Sequence, residues 1–215
     1  MAEPKAIGIL QFQQAVRGGV RPNLFQVSHQ FPGGAQPAQI PGIQGTDEEK
    51  VAIMCKSAAL PATNVGTVEM PFRGRVIKVP GDRTFETWTA TFYMDDVFAL
   101  RAAYERWIDL TNGVDTNVAD VDISSIFQTV TIQQLDKFGA GGKGIRSLRT
   151  YELIAAFPVS VSQVSIAYDN NDSYEEFDVE FAYQYHTVLG GKSGNDIAER
   201  SKKQRGAPAA SPAAN

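Results

Sequence analysis

The clearest pattern is at 84–94, TFETWTATFYM, where every second position from Trp88 to Met94 is apolar. Trp88, Ala90, Phe92 and Met94 share one parity, while Phe85, Thr87, Thr89, Thr91 and Tyr93 share the other. A period of two predicts a strand with one face in a core and one face polar but uncharged. The same alternation predicts strands over LFQVSHQF (24–31), FQTVTIQQL (127–135), SLRTYELIAAFPV (147–159) and EEFDVEFAYQYHTV (175–188). In the last, Phe177, Val179, Phe181, Tyr183 and Tyr185 oppose Asp178, Glu180, Ala182, Gln184 and His186. NVGTVEMPFRGRVIKV (64–79) predicts two strands turning near Pro71–Gly74, and PGDR (80–83) reads as a further turn.

One segment has a helical period. In DDVFALRAAYERWIDLTNG (95–113), Val97, Leu100, Tyr104, Trp107 and Ile108 fall within about 100° of one another, the width of a buried stripe. Asp95 is the expected N-cap, and Asn112–Gly113 the expected left-handed stop. Phe98 falls on the polar side, beside Arg101, Glu105 and Asp109, which makes it a candidate subunit contact. Many short strands with one strong helix predict a mainly-β protein, a barrel or sandwich with one flanking α-helix. The expected organisation is an N-terminal arm at 1–22, a β domain at 23–190, and a disordered C-terminal tail at 191–215. Within the domain, the Pro- and Gly-rich stretch 32–50 reads as a long loop.

The chain has 215 residues, 43% hydrophobic and 20% charged, which fits one globular domain. A single cysteine, Cys55, leaves no internal disulfide framework. The first residues carry charges and a proline ahead of a very short apolar patch, so they do not read as a signal peptide, and no run is long enough for a membrane span. Folding in a cytoplasm is expected. The net charge of −4 is uneven: five basic and two acidic residues lie from Lys192 onward, so the rest of the chain carries −7. An acidic body is a poor nucleic-acid clamp and suits a surface past which DNA moves without sticking.

Candidate chemistry fails on spacing. GAGGKG (139–144) has Lys137 where a phosphate loop needs glycine and Gly144 where it needs a hydroxyl, with strands on both sides, so it reads as a hairpin loop. Asp169, Asn171, Ser173 and Glu180 match four positions of a calcium-binding helix–loop–helix, but Tyr174 stands where glycine is required. His29 and His186 are far apart without a third ligand, and Cys55 in an apolar stretch reads as packing. Glu175 and Glu176 are adjacent and point to opposite faces of a strand. The basic RSKKQR (200–205) lacks aromatics for stacking and reads as a solvated tail. No cofactor, metal or catalytic residue is expected.

The run from Cys55 to Trp107 resembles the tail tube proteins of contractile-tailed bacteriophages. The resemblance rests on Cys55, Lys56, Leu60, Pro61, Gly66 to Glu69, Gly74, Arg75, Gly81 to Glu86, Trp88, Phe98, Arg101 and Glu105 to Trp107. It continues through LRTYELIAAFPVSVS (148–162) and EEFDVEFAYQYHTV, and covers about residues 22 to 189. It implies a β-barrel-like sandwich shared with secretion-system tubes, and no enzymatic activity. It also implies a virion protein, assembled in the host cytoplasm, whose hexameric rings stack as a tube inside a contractile sheath. The implied partners are further copies of itself, the tail sheath, the tape-measure protein in the lumen, baseplate and neck or terminator proteins, and genomic DNA in transit. The tube of a type VI secretion or extracellular contractile injection system is the alternative. A hydrolase or carbohydrate-binding sandwich, from a different class, predicts instead a stable monomer with a ligand pocket.

A tube lumen needs a polar surface that does not hold DNA. Thr87, Thr89 and Thr91, with Thr129, Thr131, Asp178 and Glu180, are the candidates to line it. The arm at 64–83, carrying Arg73, Arg75, Asp82 and Arg83, is the candidate ring-stacking element, and Phe98 a second inter-subunit candidate.

Overall fold

The computed structural model describes residues 8–16, 19–119, 121–136, 147–169 and 171–189. In chain order the strands are β1 (Phe25–Ser28), β2 (Cys55–Ala58), β3 (Asn64–Phe72), β4 (Arg75–Thr84), β5 (Trp88–Tyr93), β6 (Gln128–Leu135), β7 (Ser147–Val161), β8 (Glu176–Ala182) and β9 (Tyr185–Leu189). The helices are α1 (Ile9–Val16), α2 (Asp47–Met54), α3 (Ala99–Thr111) and the single turn α4 (Ile123–Ile126).

Seven strands form one antiparallel sheet in the order β1-β6-β7-β8-β5-β2, with β9 also paired to β7. The long strand β7 holds it together by changing partners. Its first half pairs with β6 and β9, up to Ile154↔Tyr185, and its second half pairs with β8 from Phe157↔Ala182. The change falls at Ala155, whose φ of 54° is left-handed, beside a bulge in the β6 ladder between Gln128 and Val130. The sheet bends there but does not close: β1 and β2 end it without pairing to each other. The expected mainly-β fold is present as a bent open sheet around a helix, not as a closed barrel.

The concave side buries the inward parity of each strand. Trp88, Ala90 and Phe92 of β5, Phe177, Val179 and Phe181 of β8, Val130 and Ile132 of β6, Leu153 of β7 and Val27 of β1 pack with Leu100, Ala103, Tyr104 and Trp107 of α3. Each fully buried large side chain contributes about 1.5–3 kcal/mol of transfer free energy. Trp107 also donates its indole N–H to the Ile126 carbonyl at 3.0 Å, which ties α4 to the helix.

Helix α3 starts later than the sequence predicts. Asp95 is buried, and its carboxylate accepts the Ala99 N–H at 2.8 Å and the Leu100 N–H at 3.4 Å from the far side of a turn. Val97 therefore precedes the helix and is exposed rather than part of the buried stripe. The stop also differs: Asn112 is extended, with a φ of −155°.

Other boundaries move for local reasons. The loop from 32 ends early, because Thr46 donates its N–H to Glu49 Oε2 at 3.3 Å and α2 starts at Asp47. Ala35 and Ile40 of that loop are buried, as is Phe31 just before it. The segment predicted as one strand over 175–188 breaks at Tyr183–Gln184, so that β8 and β9 serve different halves of β7. PGDR is not a turn but part of β4, where Gly81 lies against Gly66 across a bulge and a Cβ on Gly81 would come within 3.2 Å of the Gly66 carbonyl. The N-terminal arm contains a helix, α1, whose Ile9, Leu10, Phe12 and Val16 are exposed.

Candidate functional site

Two surfaces stand out: the convex face of the sheet and the β3–β4 hairpin. On the convex face, the outward parity of β5 meets that of β8, with Thr89 opposite Glu180 and Thr91 opposite Asp178. The Thr91 hydroxyl donates to Asp178 Oδ1 at 2.7 Å. Asp178 is fixed from the other side as well, since its N–H donates to Ser162 Oγ at 2.8 Å. Ser160 Oγ lies 3.4 Å from Glu180 Oε2. Lys56 completes the row, with its ammonium 2.6 Å from Glu176 Oε2 and 5.9 Å from the centre of the Tyr93 ring. The hydrogen bond to Glu176 pushes the Lys56 pKa above its ordinary value.

This face continues across β7. Thr131 stands opposite Ser28 on one side and Glu152 on the other, and Thr187 donates to Glu152 Oε2 at 3.3 Å. Thr129, Thr131, Gln133, Thr150 and Glu152 line a shallow hollow of about 670 Å³. Six of the seven lumen candidates, Thr89, Thr91, Thr129, Thr131, Asp178 and Glu180, thus lie on the outward side of one sheet, and Thr87 lies just before β5. Lys56, Glu176, Ser160 and Glu152 belong to the same surface but are not among the lumen candidates named from the sequence. The parity that selected Asp178 and Glu180 also selects Glu176. Lys56 and Ser160 sit in strands whose pairing the sequence does not reveal.

The hairpin is a separate two-stranded sheet. Arg73 and Gly74 turn it with φ values of 44° and 80°, the left-handed pair that suits the twist of a two-residue loop. β3 has nine residues, so the hairpin is about 30 Å long at roughly 3.3 Å per residue. One of its faces aligns Val68 with Val79 and Met70 with Ile77, and Val68, Met70 and Ile77 are about half exposed. The other face carries Glu69 and Lys78, 3.4 Å apart. At the tip the Arg73 guanidinium lies 5.4 Å from the centre of the Phe72 ring, and Arg75 follows it. Asp82 and Arg83 sit near the root on β4. The candidates Arg73, Arg75, Asp82 and Arg83 are therefore on one hairpin, while Phe98 is elsewhere. Phe98 takes a left-handed φ of 54° at the entry to α3 and is 51% exposed. The sequence did not single out the hairpin's apolar face, because its alternation resembles that of any core strand.

The groups that elsewhere carry chemistry are occupied. Burial pushes the Cys55 thiol up to about 12, away from the reactive thiolate. His29 Nδ1 donates to the Gln30 carbonyl at 3.0 Å, which leaves Nε2 to accept the Tyr104 hydroxyl at 2.7 Å. Glu180 belongs to β8 and its pairing with Thr89, not to a calcium loop. Among the described residues no three histidine, cysteine or carboxylate side chains converge as a metal site. GAGGKG and RSKKQR lie outside the described residues.

Known proteins match most of the chain. A family model described as phage tail tube protein matches residues 20–189. The tail tube protein gp19 of Enterobacteria phage T4 is 26% identical over 165 residues, which is 77% of this chain and 89% of that protein. The tail tube protein of Serratia phage KSP90 is 26% identical over 167 residues, covering 77% and 87% of the two chains. Among solved structures, a chain of the sheath–tube complex of an extracellular contractile injection system, in its extended state, superposes with a TM-score of 0.52. It is 17% identical, over 86% of this chain and 99% of that one. A chain of the anti-feeding prophage baseplate gives a TM-score of 0.53 at 14% identity, over 79% and 94%. At those identities the structures establish a shared fold.

Proposed function

The chain belongs to the phage tail tube protein family, and from that premise we propose that it is a non-catalytic virion subunit whose hexameric rings stack into the inner tube of a contractile tail. The tube conducts genomic DNA during ejection, holds the tape-measure protein during assembly, and meets the sheath, the baseplate and the neck or terminator proteins. It assembles in the host cytoplasm.

The observation that carries this reading is the free-standing hairpin. A two-stranded hairpin is marginal in water by itself, and this one keeps Val68, Met70 and Ile77 half exposed, with no other element among the described residues over them. Another copy covers that face. The hairpin is the ring-stacking element, with Arg73, Arg75, Asp82 and Arg83 fixing its register by charge, and Phe98 is a second contact between subunits. The convex sheet face lines the channel. Thr87, Thr89, Thr91, Thr129, Thr131, Asp178 and Glu180 give it a polar, acidic lining that repels phosphate.

Negative-stain electron microscopy of the purified protein, at low and high concentration, tests the proposal. Rings or hollow tubes are expected, and their loss is expected in an Arg75→Glu or Phe98→Ala variant. Monodisperse small particles at all concentrations, also after addition of a baseplate, would overturn it.

A further inference from the structure

His186 of β9 touches both ends of the β3–β4 hairpin. Its Nε2 lies 3.2 Å from the hydroxyl of Thr63, the residue before β3. Its ring meets Phe85, the residue after β4, edge-on at 5.5 Å between centroids. Tyr183 and Tyr151 pack on the same imidazole at 6.2 and 6.3 Å. Beside this cluster Asn64, the first residue of β3, donates to Glu86 Oε1 at 2.6 Å. The hairpin thus leaves and rejoins the body at a single histidine.

The Nδ1 atom of this ring is buried without a hydrogen-bond partner among the described residues. A buried orphan N–H is costlier than a bare lone pair. The neutral ring therefore carries its proton on Nε2, donates to Thr63, and turns its Nδ1 lone pair inward. We infer that His186 is the positioning residue of the arm: its neutral imidazole pins Thr63 and Phe85 to β9, and so fixes the direction in which the hairpin points. This rests on the reading of the hairpin as the stacking element. A second proton has no acceptor at Nδ1. The groups facing the ring are Arg83 of β4, which repels a cation, and the Tyr151 and Tyr183 rings. Burial and then Arg83 hold the ring below the ordinary histidine value of 6.5, so acidification unpins the arm instead of leaving it charged in place.

Hydrogen–deuterium exchange on the full-length chain, kept unassembled at low concentration, tests the lock. The readout is the protection factor of amides at 62–66 and 82–87, corrected for intrinsic pH effects. His186→Phe keeps the ring packing and loses the hydrogen bond. Thr63→Val loses the same bond from the exposed partner, where folding is not at stake. Both are expected to lower protection at the roots about fivefold, the value of one ordinary hydrogen bond, with exchange in β5 and β8 unchanged. His186→Gln supplies an amide donor that does not titrate, and is expected to restore protection and to abolish its fall under acid. Unchanged root protection in either of the first two variants, or an acid response that survives in His186→Gln, overturns the inference. The exchange measurement does not depend on polymerisation. A wild type that shows the lock but never forms tubes would therefore sink the tube reading alone.

Discussion

His29 is a buried imidazole with both nitrogens in use, one on the Gln30 carbonyl and one on Tyr104. Burial lowers its pKa from 6.5 to about 4. The unfolded chain therefore binds the proton more readily than the fold does between these values. Stability from the neutral ring is complete above 6.5 and is lost as pH falls toward about 4. The loss is on the order of 3 kcal/mol, visible as a falling urea midpoint. His29→Gln keeps polar atoms on both partners without a titrating ring and is expected to flatten that acid limb. An equally steep limb in the variant would assign the acid sensitivity to other groups. Neither histidine's role was legible in the sequence: two isolated histidines carry no spacing signal, and a polar atom between Tyr104 and a carbonyl becomes visible only once β1 meets α3.

At the scale of elements, the hairpin is predicted to separate folding from assembly. Met70→Glu and Ile77→Lys change side chains that touch no core residue, so each is expected to move monomer stability by no more than about 0.5 kcal/mol. Both are expected to abolish tubes at concentrations where the wild type forms them, as sedimentation would show. Tubes in either variant would remove the hairpin face from the interface. The inward parities of β5, β6 and β8 were legible because one face of each is buried and period two is unambiguous there. The hairpin shows the converse: its alternation was visible, but both of its strands stay largely exposed, so the alternation marks no core face. Boundaries failed where tertiary contacts chose them. Asp95 caps α3 across a turn rather than from the adjacent position. β7 changes partner at Ala155, and this forces the break between β8 and β9 that no local residue signals.

At the scale of the whole molecule, the bent sheet separates an apolar concave side, filled by α3, from a convex side of threonines and carboxylates. That division is what a channel wall needs. It predicts that Asp178→Lys with Glu180→Lys leaves the fold and the tube intact but makes the tube retain DNA, with retention falling steeply as salt rises. Tubes of the double variant that bind DNA no better than wild type would place that face away from the lumen. In the proposed tube, hairpins stack the rings while the convex sheet face lines the channel. Cryo-electron microscopy of tubes grown from the purified chain, at a resolution that shows side chains, tests it most directly. Thr89, Thr91, Asp178 and Glu180 are expected on the inner wall, with Val68, Met70 and Ile77 buried against a neighbouring copy. An inner wall built from other residues, or hairpins left exposed on the finished tube, would contradict it.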